Sequence, residues 1–216
     1  MKRLLAFSLA GALACASQAI VLDFEGFPAG TWMREQYSGL GVHITAKNLN
    51  SGHPDKAIIF DSAHPTGGDT DLETPGYHPS NTVPYGKILI LAENDRDNNH
   101  DGLVDDPDDE GGRPAGWIRF AFDARFSSGY IDMIDIEEQG GTIAFKSGGD
   151  TVQTIGIPAV GDNSVQRIAW SGFEFDSMKV NLAGSAGIGA VSVVPEPSAL
   201  IGLALAAGFV LRRRRS

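Results

Sequence analysis

Cysteine is nearly missing from the 216 residues: Cys15 stands alone, inside an N-terminal apolar run. No disulfide can brace the chain, and no thiolate zinc site can form within it. Long 3.6-residue hydrophobic periodicity is missing too, which excludes a helical bundle. None of the five histidines lies in an H-E-x-x-H motif, and no serine lies in G-x-S-x-G. The spacings that build zinc proteases and serine hydrolases are therefore lacking. His53, His64 and His78 each precede a proline, so they lie in extended or turn segments. The glycine pairs Gly140-Gly141 and Gly148-Gly149 read as hairpin turns, not phosphate loops.

Both ends carry processing patterns. Lys2 and Arg3 precede the apolar run Leu4–Ala14, and Ser17-Gln18-Ala19 places small residues for cleavage before Ile20. This reads as a signal peptide over residues 1–19. Ala12 stands where a lipobox wants a larger aliphatic residue, so Cys15 does not read as a lipidation site. At the other end, Pro195-Glu196-Pro197 is followed by an apolar run, Ala199–Leu211, and then by Arg212–Arg215. The prolines block helix propagation upstream. A helix over the run would be about 20 Å long at ~1.5 Å per residue. That is short for a membrane core, but snorkelling arginines can compensate, and they hold the cytoplasmic side. The three-part order over 195–216 resembles the PEP-CTERM sorting signal of exported bacterial proteins. The resemblance implies export, an inner-membrane helix that is at least transient, and an exosortase-type partner that reads the tail.

The body between these ends, 20–194, has the length of one domain. Without Lys2, Arg3 and the tail arginines it keeps 11 basic residues, and without Glu196 it keeps 26 acidic ones, a formal charge of −15. Such a body disfavours nucleic acid and anionic lipid, and favours divalent cations or neutral ligands. Short runs rich in Val, Ile, Phe and Trp alternate with Gly/Asp/Asn/Pro turns. Strands are expected near 21–24, 41–45, 57–60, 87–92, 117–122, 130–136, 142–146, 151–157, 165–170, 178–182 and 188–193, with a loop layer over 47–85. Period-two alternation with frequent turns predicts an all-β, antiparallel β-sandwich, jelly-roll-like. Trp117 and Trp170 are expected in its core, and Trp32, Tyr77 and Tyr85 in loops. The opening VLDFEGFPAGT with its later GLGV (Val21–Ala46) is similar to the starts of many PEP-CTERM bodies, which implies a compact sandwich and no particular activity.

Glu93–Glu110 holds nine acids and one base, Arg96. Within it, Asp97-Asn98-Asn99-His100-Asp101-Gly102 fits D-x-[DN]-x-[DN]-G, and Asp108 stands at position 12. Alternate residues of a tight loop converge their oxygens, and calcium takes six to eight of them. Gly102 permits the turn. Asp97, Asn99, Asp101, the Leu103 carbonyl, Asp105 and Asp108 are the candidate calcium ligands. The loop resembles those of thrombospondin type 3 repeats and EF-hands; Pro107 argues against a helix starting within it. A looser oxygen-rich segment, Asp61–Asp71, is a second candidate.

Asp132–Glu138 invites comparison with laminarinase-like jelly-roll glycosidases. Aligning Asp135 and Glu138 on their motif puts Met133 where the nucleophile belongs. The reading is an exported, non-catalytic, calcium-binding protein acting as a structural or glycan-binding component of envelope or matrix. The alternative is a secreted polysaccharide hydrolase or lyase on the same scaffold. The tail reading has a direct check. Deleting Ser198–Ser216 should release the body into periplasm or medium; identical fractionation of truncated and full-length chains would show that the tail is no anchor.

Overall fold

The computed structural model describes residues 18–195; the signal-peptide and tail-helix readings lie outside them. Among the described residues no helix is long and apolar enough to cross a membrane. They form ten strands, every pairing antiparallel, and two single 3-10 turns. The strands are β1 (Ile20–Leu22), β2 (Trp32–Met33), β3 (Val42–Asn48), β4 (Ala57–Asp61), β5 (Lys87–Leu91), β6 (Gly116–Ile134), β7 (Thr142–Ser147), β8 (Asp150–Gly156), β9 (Val165–Leu182) and β10 (Gly187–Val194).

Two expected strand pairs are each one long strand. Residues 117–122 and 130–136 are joined through β6, and 165–170 and 178–182 through β9. The serines and glycines between them read as turns, yet they pair: Phe126 faces Phe175 and Ser128 faces Ser171. Register shifts between Ala121 and Ser128 mark bulges, which bend a strand and raise its twist. The β6–β9 pair, which brackets β7 and β8 in sequence, thereby runs through both halves of the sheet. Its first-half β6 pairs β3, its second-half β9 pairs β7, and β7 pairs β8. Beyond the bulges β6 pairs β10, which continues to β1 and to β5, β4 and β2.

Inward side chains of both layers meet in one core that includes Ile44, Phe120, Phe145, Ile131, Met133, Phe175 and Val191. Phe145 stands edge-on to Phe175 at 5.0 Å between ring centroids and 4.9 Å from Trp170, an arrangement worth more than its area alone. Trp170 is a core residue as expected; Trp117 is not. It alternates with buried Ile118 and Phe120 and stands half-buried on the outer face. That outer face is laid out in cross-strand rows from β3 to β8. One row is Lys47, Trp117, Asn181, Thr142, Gly156, and the next is Thr45, Arg119, Lys179, Ala144, Thr154. A third is His43, Ala121, Ser177, Lys146, Thr151.

β4 and β5 are buried on both faces. Ile59 and Leu89 join the main core, while Ile58, Phe60, Ile88 and Ile90 form a second cluster with Leu72 and Val104. Leu72 comes from the expected loop layer and Val104 from the acidic segment. Loops thus act here as a third layer, held by apolar anchors.

Gly129 sits where β6 crosses between β10 and β9. A Cβ there would collide with the Ser192 carbonyl oxygen and lie 2.9 Å from the Trp170 ring. Gly156 on edge strand β8 has open space. Gly129→Ala should cost about 1–3 kcal/mol, whereas Gly156→Ala should be neutral or gain up to ~1 kcal/mol. Chemical denaturation of the two variants checks the contrast.

Candidate functional site

Like-charged runs are usually solvated and disordered, but Glu93–Glu110 is tied down along its length. Val104 N–H donates to the Gly30 carbonyl at 3.1 Å, and Asp105 N–H to Arg96 O at 2.9 Å. Gly30 has φ 80°, and a Cβ there would strike the Val104 backbone, so glycine permits the docking. Thr66 Oγ1 donates to Pro107 O at 2.7 Å, and Gly67 N–H to Asp106 Oδ1 at 3.0 Å. Ala92 and Asp109 form an isolated bridge.

Within this frame the carboxylates of Asp97, Asp101 and Asp105 each place an oxygen within 4.8 Å of the others. The turn at Gly102 (φ 86°) folds the segment back. Asp97 accepts from Asp101 N–H at 3.1 Å and Gly102 N–H at 3.0 Å; Asp105 accepts from Asn98 N–H at 2.6 Å. Asn99 joins through its side chain, 3.0 Å from Asp101 Oδ2. Asn99, Asp101, Leu103 and Asp105 line an open hollow of about 330 Å³, whose lining also includes Asp61 and His64. Asp108, expected with these ligands, is placed elsewhere. It groups with Asp69 and Asp109, because the chain passes Pro107 and enters the bridge to Ala92.

The segment 61–71 is not one site. Asp61 pairs with Lys87 at 2.5 Å. Asp69 turns toward Asp108 and Asp109, while Asp71 turns toward Asp135 and Asp162. Neither carboxylate trio forms an ion pair with Lys or Arg among the described residues. Burial, then the neighbouring Asp109, pushes the Asp69 carboxyl up to about 8. Burial likewise raises Asp109 to about 7 and Asp135 to about 7. Asp135 is fully buried; it accepts from Asn163 N–H at 2.7 Å and Ser185 Oγ–H at 3.1 Å. Sequence reasoning gave Asp135 and Asp162 no such partners, since the contacts span elements far apart in the chain.

A cleft of about 460 Å³ opens at the edge of the outer sheet face, lined by Leu49, Arg113, Trp117, Glu138, Gln139 and Asn181 among others. Glu138 is the one carboxylate in its lining. Arg113 pairs with Glu138 Oε1, while Oε2 is buried against Gly184 without a hydrogen-bond partner. Asp132 is held by Arg167 through two bonds of 2.7 and 2.8 Å. Of the two acids aligned in the glycosidase comparison, Asp135 is bonded to Asn163 and Ser185 and Glu138 to Arg113.

No family model matches the chain, and no curated protein sequence does. Among solved structures, it is similar to the lectin domain of lectinolysin complexed with Lewis B antigen. The identity is 8%, over 40% of this chain and 70% of that one, with a TM-score of 0.33. A Streptococcus pneumoniae fucose-binding module gives 10% identity over 40% and 67% of the two chains, TM-score 0.32. A carbohydrate-binding module of Cellvibrio mixtus lichenase 5A, in complex with cellotriose, gives 16% over 52% and 79%, TM-score 0.29. Likeness of this extent adds nothing to the architecture described above.

The raised carboxyls fix a pH dependence. A folded pKa above the unfolded value of about 4 means that the folded chain holds the extra proton. That stability is full below pH ~4 and is lost as pH rises through about 7–8. In chelator, the melting midpoint should therefore fall from pH 5.5 to 8.5. Asp135→Asn keeps the shape without the titration, so its profile should be shallower. An equal slope in parent and variant would contradict the assignment.

Proposed function

We propose that the chain is an exported protein whose all-β body binds calcium and serves, without catalysis, as a structural or glycan-binding component of the cell envelope or extracellular matrix. The observation that carries the calcium part is the convergence of Asp97, Asp101 and Asp105 on one point within 4.8 Å, at the alternate positions of a glycine-turned loop. These donors are all hard oxygens, with no thiolate among them, which suits calcium over zinc. Asp97, Asn99, Asp101, Asp105 and the Leu103 carbonyl would hold the ion; Asp108 belongs to the neighbouring trio. A bound cation would cancel the mutual repulsion of the loop and fix it more firmly over the second apolar cluster.

Export rests on the two processing patterns of the sequence and on the PEP-CTERM-like tail, with an exosortase-type enzyme as the tail's partner. The glycan part is supported by the cleft beside Trp117, where an indole stands among planar amide and guanidinium groups, the mixture that sugar rings and hydroxyls require. Hydrolysis by two carboxyls needs a pair about 5–10 Å apart across the scissile bond, whereas the cleft lining supplies one, held by Arg113.

The test is a calcium titration of the full-length chain in mild detergent, followed by thermal melting. A hundredfold excess over Kd stabilises by ~2.7 kcal/mol, about 5–10 °C at this size. Asp101→Ala, on an exposed loop, should keep the calcium-free midpoint and lose most of the rise. No rise in the parent, or an equal rise in the variant, would remove calcium from this loop.

A further inference from the structure

The body's charge of −15 hides a segregation that the fold creates. Of its 11 basic residues, five are paired with carboxylates away from the outer sheet face: Lys56, Lys87, Arg113, Arg125 and Arg167. Four others, Lys47, Arg119, Lys146 and Lys179, stand on the outer face of β3, β6, β9, β7 and β8. The fifteen positions of its three cross-strand rows include no Asp or Glu. Lys47 is neutralised by Asp55 at 2.9 Å. Arg119, Lys146 and Lys179 form no ion pair among the described residues.

The placement of two of them is unfavourable by itself. Arg119 and Lys179 are direct cross-strand partners, and like charges directly opposite destabilise a sheet. With 26 acidic residues in the body, a compensating carboxylate was available in composition, yet none faces the pair. Arg119 is steadied only by a neutral group, donating from Nε to Ser177 Oγ at 2.8 Å. Lys179 leans toward Trp117, its Nζ 5.6 Å from the indole centroid. Lys146 lies one strand beyond, two residues along from Ala144, which itself pairs with Lys179. Ala144, between Lys179 and the position of Lys146, adds no side chain beyond a methyl group. Trp117 connects this face to the 460 Å³ cleft, where Asn181 donates its amide to Thr142 Oγ1 at 2.9 Å.

We propose that this outer face binds a carboxylate-bearing polysaccharide, with Arg119, Lys179 and Lys146 as its cationic contacts and Trp117 as the surface against which a sugar ring stacks. The inference rests on the glycan-binding reading above and narrows it to acidic sugars. Charge complementarity selects an anion. The hydroxyls and amide set between the cations suit a sugar chain, in which charges are separated by neutral hydroxyl groups. A nucleic acid concentrates its charge, about one per 1.7 Å of duplex. Three unpaired cations in a strongly acidic body cannot match that density. An anion over Arg119 and Lys179 would also relieve their repulsion, so the face is less stable empty than occupied.

The test uses the full-length chain in mild detergent and a chelator, so that calcium bridging plays no part. Affinity electrophoresis through alginate, through a neutral β-glucan, and with a single-stranded oligonucleotide as competitor separates the possibilities. Expected are retardation by alginate that weakens with salt, loss of affinity by about tenfold or more in the double variant R119Q/K179Q, and weak competition by the oligonucleotide. Lys179→Glu gives a second readout. It places an acid opposite Arg119, so it should raise the melting midpoint while abolishing retardation, and a misfolded variant could not do both. Retardation by the neutral glucan alone would overturn the acidic-sugar proposal and leave the glycan reading intact. No retardation by either polysaccharide would overturn both. Alginate binding undiminished in Lys179→Glu would remove this face as the site, and efficient competition by the oligonucleotide would overturn the ligand class.

Discussion

The pairing of β6 with β9 along nearly their whole lengths is the constraint on which the other features depend. It supplies the central pair of both halves of the sheet from the same two long strands, so the two halves cannot choose their relative register freely. The register shifts between Ala121 and Ser128 mark where this strand pair bends from one half of the sheet into the other. Gly129 lets β10 and the Trp170 ring close on the crossing point. With these fixed, alternation decides the rest: Ile118, Phe120, Met178 and Val180 point into the core, and Trp117, Arg119 and Lys179 are carried together onto the outer face.

The other layer solves a different problem. β4 and β5 are apolar on both faces, and their second face needs a cover. Residues from two loops provide it, with Leu72 and Val104 as anchors. The acidic segment is therefore positioned by hydrophobic burial and by backbone hydrogen bonds, against its own electrostatic repulsion. Carboxylates that would spread apart in a free loop are gathered into three groups. In two of these, burial raises the cost of charge enough to push carboxyls up to about 7 or 8. Such groups either hold protons or share a cation, and both outcomes follow from the same packing.

Most strands were legible because period-two alternation survives even in short segments; β3, β5, β7, β8 and β10 lie within a few residues of their expected positions. The continuity of β6 and β9 was not legible, since Ser127-Ser128-Gly129 and Ser171-Gly172 carry the composition of turns, while their pairing (Ser128 with Ser171, Gly129 with Trp170) is a contact between distant segments. The alternation of Trp117 with Ile118 and Phe120 already held the sign of an outward tryptophan, but the general tendency of Trp to be buried outweighed it. Local spacing brought Asp97, Asp101 and Asp105 together as a loop would. It misplaced Asp108, because the chain after Pro107 follows a bridge to Ala92 rather than the geometry of a twelve-residue loop. Asp69 and Asp71 were visible as alternating acids, though alternation sends them to different partners. Asp135 had no signal at all: its burial depends on Asn163 and Ser185, both far away in sequence.

Net charge was the least transferable of the sequence quantities. A body at −15 argues for cations and against polyanions only if its charges are mixed over the surface, and here they are not. The loop layer over β4 and β5 gathers acids, and the outer face of β3, β6, β9, β7 and β8 gathers unpaired cations with a half-buried indole. Fields from the two sets fall off within about 8–10 Å at physiological ionic strength. A ligand at either face is therefore governed by the groups of that face more than by the sum over the protein. The same chain can thus present a cation-seeking surface and an anion-seeking one, on different parts of one antiparallel sheet.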